Sequence, residues 1–197
     1  MNPDVAAVAR VLTAGGVALL PTDTIYGFHA LATDNVAIEK IAAIKGRDEK
    51  PFIVLSDSIE QAETIGARFP PNARTVLQKY WPGPLTAILL LEKTIAASRG
   101  AKTIAVRVPA LEWLRELVRR TGPLASTSAN RSGEPPMQSP NQLSSDLQMR
   151  IDVVVDGGPL DGKPSTIVDF TSDEPRFIRT GESLFTQEVW KTLRKSL

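Results

Sequence analysis

Hydrophobic and polar positions follow two different periodicities along this 197-residue chain. Apolar residues recur at helical spacing after the cap-like segment at residues 2–4, along residues 35–45 and through "LEWLRELVRRTG". Further helices are predicted near residues 59–66 and 72–80 and around Trp190. Short apolar or β-branched runs between these segments predict strands at "VALL", "FIVLS", "PLTAILLLE", "TIAVRVP", "PLAST", "IDVVVDGG", "STIVDF" and "PRFIRTG". This interleaving predicts an α/β fold with a mixed sheet.

The composition, with 42% hydrophobic and 23% charged residues, is typical of a globular protein. We find no internal repeat, and the proline-rich stretch at 133–141 is expected to be a mobile loop, so we predict one domain over residues 1–197. The net charge of +1 gives no reason to expect a nucleic-acid or membrane partner. Since neither a signal peptide nor an apolar run of about 18 residues is found, we expect a cytoplasmic protein without a membrane partner.

The residue types restrict the chemistry strongly. The chain has no cysteine and one histidine, His29. Thiol nucleophiles, disulfides, cysteine-based metal sites and two-histidine metal sites are therefore excluded. A serine nucleophile has His29 as its single candidate imidazole base. Catalysis must rely mainly on lysine, arginine, carboxylates, hydroxyls, amides and the backbone.

One segment imitates a phosphate-binding P-loop. "GGPLDGKPS", residues 157–165, has the glycines and the lysine, but Pro164 occupies the position of the magnesium-binding hydroxyl. The following "STIVDF" is typical of a strand, whereas a P-loop opens a helix. We interpret the segment as a Gly/Pro turn that leads to Ser165 at the start of a strand.

Two polar segments follow a strand and a helix. "PTDTIYG", residues 21–27, follows the strand "VALL". The end of a strand is where a ligand site or a capped turn is expected. We favour a turn that is capped by Asp23. "KGRDEKP", residues 45–51, places Lys45, Arg47 and Lys50 after a helix. These charges stabilise a helix C-terminus or clamp a phosphate, and both interpretations stay open.

Two arginines lie in strand-like segments, Arg107 in "AVRVP" and Arg179 in "RFIRTG". An unpaired charge inside an apolar strand is costly, so Arg107 needs an anionic partner. That partner is either a buried carboxylate of the protein or a carboxylate of a substrate. Arg179 raises the same question.

The segment "PLASTSANRSGEP", residues 123–135, gathers hydroxyls and an amide at the end of a predicted strand. A nucleophile is disfavoured because GxSxG and SxxK motifs are missing and His29 is the single histidine. With several cationic residues elsewhere in the chain, a cradle for phosphate or ribose oxygens is the better hypothesis.

From about residue 14 to residue 181, the chain resembles the YrdC/TsaC family in six motifs that occur in the family's order. These are "PTDTIYG", "KGRDEKP", "WPGPLT", "VRVP", "STSANRSG" and "STIVD". The resemblance implies a twisted mixed sheet flanked by helices around a deep basic cavity, in the short single-domain bacterial form. It implies a nucleotidyltransferase, an L-threonylcarbamoyladenylate synthase, that condenses L-threonine, bicarbonate and ATP and releases pyrophosphate. A separate transfer complex then modifies adenosine 37 of tRNAs that read ANN codons (t6A).

The resemblance also implies roles for individual residues. The KxR and SxN pairs, which hold ATP phosphates and the reacting centre, correspond to Lys45, Arg47, Ser128 and Asn130. Lys50 and Arg179 are expected to reach the nucleotide. Threonine is expected to bind Thr24, Arg107 and Ser165, with its carboxylate on Arg107. Mg²⁺ is expected to accompany ATP without a protein metal site. One departure concerns the threonine site, since Leu55 stands where some members have a histidine.

Two other functions compete with the synthase. An RNA-binding module for tRNA, rRNA or double-stranded RNA would use the same basic concavity, but 6% aromatic residues is little for base stacking. A carbamoyl-transfer domain of hydrogenase-maturation enzymes is the other possibility, and those domains belong to much larger chains.

Overall fold

We analysed a computed structural model, which describes residues 3–46, 50–130 and 134–193. The helices within these ranges are α1 (Val5–Thr13), α2 (Asn35–Lys45), α3 (Ile59–Thr64), α4 (Pro71–Tyr80), α5 (Glu112–Thr121), α6 (Ser145–Gln148) and α7 (Gln187–Leu193). The strands are β1 (Ala18–Pro21), β2 (Tyr26–Leu31), β3 (Ile53–Leu55), β4 (Ala67–Arg68), β5 (Leu85–Leu91), β6 (Thr103–Arg107), β7 (Leu124–Ser128), β8 (Val153–Val154), β9 (Thr166–Asp169) and β10 (Arg176–Arg179). Short 3₁₀ turns lie at Ala96–Ser98 and Pro140–Gln142.

The strands form one mixed sheet, which confirms the predicted α/β class. Their order is β10-β9-β5-β6-β3-β7-β2-β1-β8, with β4 paired to β5. The pairs β1–β8, β3–β6 and β5–β9 are parallel, and the remaining pairs are antiparallel. Strands that are distant in sequence are therefore neighbours in the sheet, and this order brings separate motifs together.

The sheet is buried on two faces. Leu19 of β1 contributes to a large cluster that includes α2, whereas Leu20 contributes to a second cluster with Leu12 of α1 and Leu117 of α5. Successive side chains of a strand point to opposite faces, so the two clusters lie on opposite sides of the sheet. Helices thus flank the sheet on both faces.

Local signals in the sequence explain the ends of α2, which has the predicted bounds. The carboxylate of Asp34 accepts hydrogen bonds from the backbone N–H groups of Val36 and Ala37. At the other end, Gly46 has a left-handed backbone with φ of 54°, a conformation that glycine adopts without a steric penalty. Lys45 is the last residue of α2 and lies directly before this glycine.

Strand β2 was not predicted from the sequence. "PTDTIYG" is the turn of a hairpin in which Pro21 of β1 pairs with Tyr26 of β2, and Ala18 pairs with His29. The strand escapes pattern analysis because nearly every residue in it is buried, which removes the alternation of apolar and polar positions. Its glycine, histidine and alanine also lower its strand propensity.

Other differences from the sequence prediction are small. The segment "IDVVVDGG" contains only the two-residue strand β8, at an edge of the sheet, and β4 was not predicted. Of the proline-rich stretch, residues 134–141 are described, and they lead into the 3₁₀ turn at Pro140–Gln142. Among the described residues, no helix is both long and apolar enough to span a membrane.

Candidate active site

A cavity of about 380 Å³ opens on the sheet face that α1 and α5 cover. Ile53 and Leu55 of β3 pack against the α1–α5 cluster and also line this cavity, which places it on that face. Its lining residues are Thr22, Thr24, Ile25, Gly27, Pro51, Ile53, Leu55, Ile88, Thr103, Ala105, Arg107, Ser126, Thr127, Ser128, Ser165, Ile167, Ile178 and Arg179. Hydroxyls and guanidinium groups thus share the space with a patch of aliphatic side chains.

The sheet order brings five of the predicted site residues to this cavity. They come from the β1–β2 turn, the ends of β6, β7 and β10 and the residue before β9, and they are Thr24, Arg107, Ser128, Arg179 and Ser165. Their roles toward a ligand stay predictions, but their convergence is a property of the fold.

Lys45 joins the end of α2 to the end of β7. Its Nζ donates hydrogen bonds to the backbone oxygens of Ser128, at 3.0 Å, and Asn130, at 2.8 Å, and to the Asn130 side-chain oxygen. The Ser128 hydroxyl donates to the same Asn130 side chain at 2.6 Å. The predicted lysine and the predicted SxN pair therefore form one cluster, although they lie 83–85 residues apart in sequence.

Arg107 has the anionic partner that its position requires, and that partner is Asp23. One Nη atom donates to the Asp23 carboxylate at 2.5 Å and the other to the Thr24 hydroxyl at 2.8 Å. The Arg107 and Asp23 side chains are only 6% and 9% exposed. Burial lowers the pKa of Arg107 below its ordinary value, and the neighbouring Asp23 charge opposes this shift.

The prediction that Asp23 caps its own turn was wrong. The hydroxyl of Thr22 caps it instead, since it accepts hydrogen bonds from the backbone N–H groups of Thr24 and Ile25 and donates to the Ile25 oxygen. Asp23 is turned toward Arg107 because an uncompensated buried guanidinium would be far more costly than an uncapped turn.

Arg179 lies at the other side of the cavity. Its Nε and one Nη donate to the backbone oxygen of Ser165 at 3.1 and 2.9 Å. The Ser165 hydroxyl is 2.8 Å from that of Thr86. Burial lowers the pKa of Arg179, and the positive charge of Arg107 lowers it further. Two guanidinium groups thus repel each other across the cavity, and an anionic ligand between them would relieve this repulsion.

Three predicted positions stand apart from this group. Arg47 lies outside the described residues. Lys50 is exposed and is not part of the lining, although its neighbour Pro51 is. Leu55, where the family pattern can have a histidine, lines the cavity and is 2% exposed, so that departure changes the surface that a ligand contacts.

Sequence reasoning included Ser126 in the hydroxyl-rich segment 123–135 but gave it no role of its own, and it missed the aliphatic lining. Ser126 precedes Ser128 by two residues on β7, so the two side chains share one face of the strand, and this spacing is visible in "STS". The aliphatic residues Ile88 and Ile167 had no signal, because nothing in an apolar strand distinguishes a cavity wall from a packed core.

The chain is similar in sequence to several known proteins. The Sua5/YciO/YrdC family model, described as "Telomere recombination", matches residues 10–181. A threonylcarbamoyl-AMP synthase of Bacillus subtilis is 36% identical over 186 residues, which cover 91% of this chain and 54% of that protein. A putative threonylcarbamoyl-AMP synthase of Mycobacterium tuberculosis is 35% identical over 174 residues, 86% of this chain and 80% of that protein.

A solved structure has the same fold. The crystal structure of P. abyssi Sua5 complexed with L-threonine superimposes with a TM-score of 0.87 at 33% identity, over 96% of this chain and 57% of that one. The chain thus spans about half the length of the first curated relatives that it matches. The family match over most of its length shows that the chain belongs to the Sua5/YciO/YrdC family.

Proposed function

We propose that this protein is an L-threonylcarbamoyladenylate synthase, a nucleotidyltransferase that makes threonylcarbamoyl-AMP from L-threonine, bicarbonate and ATP. The observation that carries the proposal is the convergence of two kinds of group at one cavity. The Lys45–Ser128–Asn130 cluster adjoins it at the end of β7, and Arg107 with Thr24 and Ser165 lines it. One group suits phosphates and the other suits an amino acid.

The relatives support L-threonine and ATP as substrates. Those from B. subtilis and M. tuberculosis are named threonylcarbamoyl-AMP synthases, the second as putative, and the P. abyssi protein is complexed with L-threonine. In this chain we expect threonine to bind at Thr24, Arg107 and Ser165, with its carboxylate toward Arg107.

The reaction suits a site without a cysteine or an exposed imidazole. The threonine nitrogen bonds to the carbon of bicarbonate, water leaves, and one proton is released. An oxygen of the resulting carbamate attacks the α-phosphorus of ATP while the bond to the β-phosphate breaks and pyrophosphate leaves. The carbamate is itself the nucleophile, so the protein must mainly hold the two substrates in line and stabilise negative charge.

The cationic residues have a place in this scheme. Lys45 holds the Ser128–Asn130 segment at the end of β7 through its hydrogen bonds to both residues. We propose that Lys45 and Arg47, with Ser128 and Asn130, contact the phosphates at the reacting centre. Arg179 and the exposed Lys50 are proposed to reach the rest of the nucleotide. Preorganised donors of this kind stabilise the charge that develops on phosphate oxygens.

Magnesium is proposed to enter with ATP. The described lining offers hydroxyls and guanidinium groups, and the carboxylate of Asp23 is engaged by Arg107. This donor set suits phosphate oxygens, so Mg²⁺ would be held by the triphosphate and water, where it neutralises charge.

The product is a mixed anhydride that must be consumed by a second activity. We propose that a separate complex transfers the threonylcarbamoyl group to adenosine 37 of ANN-reading tRNAs, in the cytoplasm.

The test is a reaction with purified protein, Mg-ATP, L-threonine and bicarbonate. Pyrophosphate is followed over time, and the adduct is identified by mass spectrometry. We expect both products only when all three substrates are present, so each is omitted in turn. If ATP binds but no adduct forms, the synthase is refuted. Salt-dependent binding of RNA in the same preparation would then favour the RNA-binding module.

A further inference from the structure

The single histidine lies beside the cavity lining, on the same face of the sheet as Ser126. His29 of β2 is the register partner of Ser126 of β7, and its side chain is fully buried. The His29 Nε2 is 3.1 Å from the Ser126 hydroxyl oxygen. Ser126 lines the cavity, so its hydroxyl lies between His29 and the space that a ligand would occupy.

The surroundings of His29 decide where its proton lies. Burial lowers the pKa of His29 to about 3; a hydrogen bond with the Gly27 backbone opposes this shift, and the charge of Arg107 adds to it. The imidazole is therefore neutral at physiological pH and carries one N–H. Within the described residues, Nδ1 has no hydrogen-bond partner, whereas Nε2 faces Ser126. A buried N–H without an acceptor is rarer than an unsatisfied acceptor, which favours the proton on Nε2.

This arrangement differs from a serine–histidine nucleophile pair. A general base must accept the serine proton, but an imidazole with its proton on Nε2 donates to the serine oxygen instead. The lowered pKa also makes the ring a weak base. Because the Ser126 oxygen accepts from His29, its own hydrogen is free to point into the cavity.

Ser126 offers this hydrogen within an aliphatic patch. Ile53 is its register partner on β3, and Ala105 is the partner of Ile53 on β6. All three residues line the cavity, and Leu55 continues the patch. A hydroxyl donor next to methyl groups is complementary to a small ligand side chain with one acceptor and one methyl group.

We propose that Ser126 donates a hydrogen bond to the β-hydroxyl oxygen of the amino-acid substrate, and that His29 is a positioning residue that orients Ser126 for this bond. The inference rests on the proposed synthase function and adds the residues that select a hydroxylated amino acid. Sites that hydrogen-bond a substrate hydroxyl discriminate strongly against analogues that lack it, because the buried donor is then left unpaired.

The test compares L-threonine with L-2-aminobutyrate, which has hydrogen in place of the hydroxyl. We would measure kcat and KM for each in the pyrophosphate assay, and the binding of each by calorimetry. Ser126→Ala should lower the preference for threonine by about tenfold, the size of one hydrogen bond. His29→Phe should act in the same direction. His29→Gln places an amide N–H near the position of Nε2 and should restore the preference.

Controls separate recognition from folding. Ser172→Ala removes an exposed serine that is not part of the cavity lining and should behave as wild type. If His29→Phe does not fold, Ser126→Ala and His29→Gln still decide the question. An unchanged preference in folded Ser126→Ala overturns the inference while leaving the synthase intact. If the wild type makes no adduct, the synthase fails. Calorimetry then decides the question separately. If Ser126→Ala abolishes the preference for threonine in binding, the roles of Ser126 and His29 are supported. If the variant retains this preference, they are refuted.

Discussion

The buried pair of Asp23 and Arg107 allows a quantitative test of the amino-acid site. Asp23→Asn keeps the shape of the side chain and removes its charge, which leaves the Arg107 guanidinium, 6% exposed, without its carboxylate. Removing one partner of a buried ion pair costs about 3–5 kcal/mol. Asparagine still accepts a hydrogen bond, and Thr24 remains bound to Arg107, so we expect the lower end of this range.

Thermal unfolding measures the effect. For a chain of this length, 1 kcal/mol shifts Tm by about 2–4 °C, so a loss near 3 kcal/mol lowers Tm by roughly 6–12 °C. Asp161→Asn is the matched control, because Asp161 is 70% exposed, forms a 3.7 Å ion pair with Lys163 and should matter little.

The ligand experiment then asks what Arg107 binds. If the threonine carboxylate pairs with Arg107, L-threonine supplies the missing negative charge and should raise the Tm of Asp23→Asn more than that of the wild type. Ligand at about 100 times its Kd contributes about 2.7 kcal/mol, which is large enough to measure. L-threonine amide, which lacks the carboxylate, should not produce the extra increase.

Two results would refute this reasoning. An Asp23→Asn protein with the Tm of the wild type would show that Arg107 does not depend on this carboxylate. Equal stabilisation of the variant by threonine and its amide would show that the carboxylate binds elsewhere.

Three further predictions concern turnover and acid stability. Lys45→Ala should lower kcat by about 10²–10³-fold through lost charge stabilisation, while its circular dichroism stays unchanged. The control Lys102→Ala, at an exposed lysine, should be active. Loss of the fold together with activity in Lys45→Ala would make Lys45 structural. Arg107→Ala should raise the KM for threonine more than the KM for ATP. A larger increase in the KM for ATP would show that Arg107 belongs to the nucleotide pocket instead. Below its ordinary pKa of 6.5, His29 is protonated in the unfolded chain but stays neutral in the folded protein down to a pKa of about 3. Its contribution to stability is therefore complete above pH 6.5 and falls as the pH decreases, by roughly 1.4 kcal/mol per pH unit. Urea unfolding of His29→Gln between pH 7 and 4 should show a smaller loss, and an equal slope would show that His29 titrates normally.

Local sequence patterns predicted an element correctly where all the signals for it lie within that element. Residues 35–45 are helical as predicted because their cap, periodicity and terminal glycine all lie within a few residues. The strand β2 was missed because it is buried on both faces, so that its sequence has no alternation to detect. The mixed sheet was predicted, but its order was not, since strand order depends on pairings between distant segments.

The sequence by itself determined the α/β class, the family resemblance and the residue types available for chemistry. It required that Arg107 have an anionic partner, because the cost of burying a charge does not depend on the fold. Only the tertiary structure decided that Asp23 is this partner, 84 residues away, and that Lys45 joins Ser128 and Asn130. It also placed His29 beside Ser126, although the two residues are 97 positions apart in sequence. Local periodicity extends over one element, whereas these contacts follow from the order in which the strands pair, and that order is set by the burial of the whole sheet.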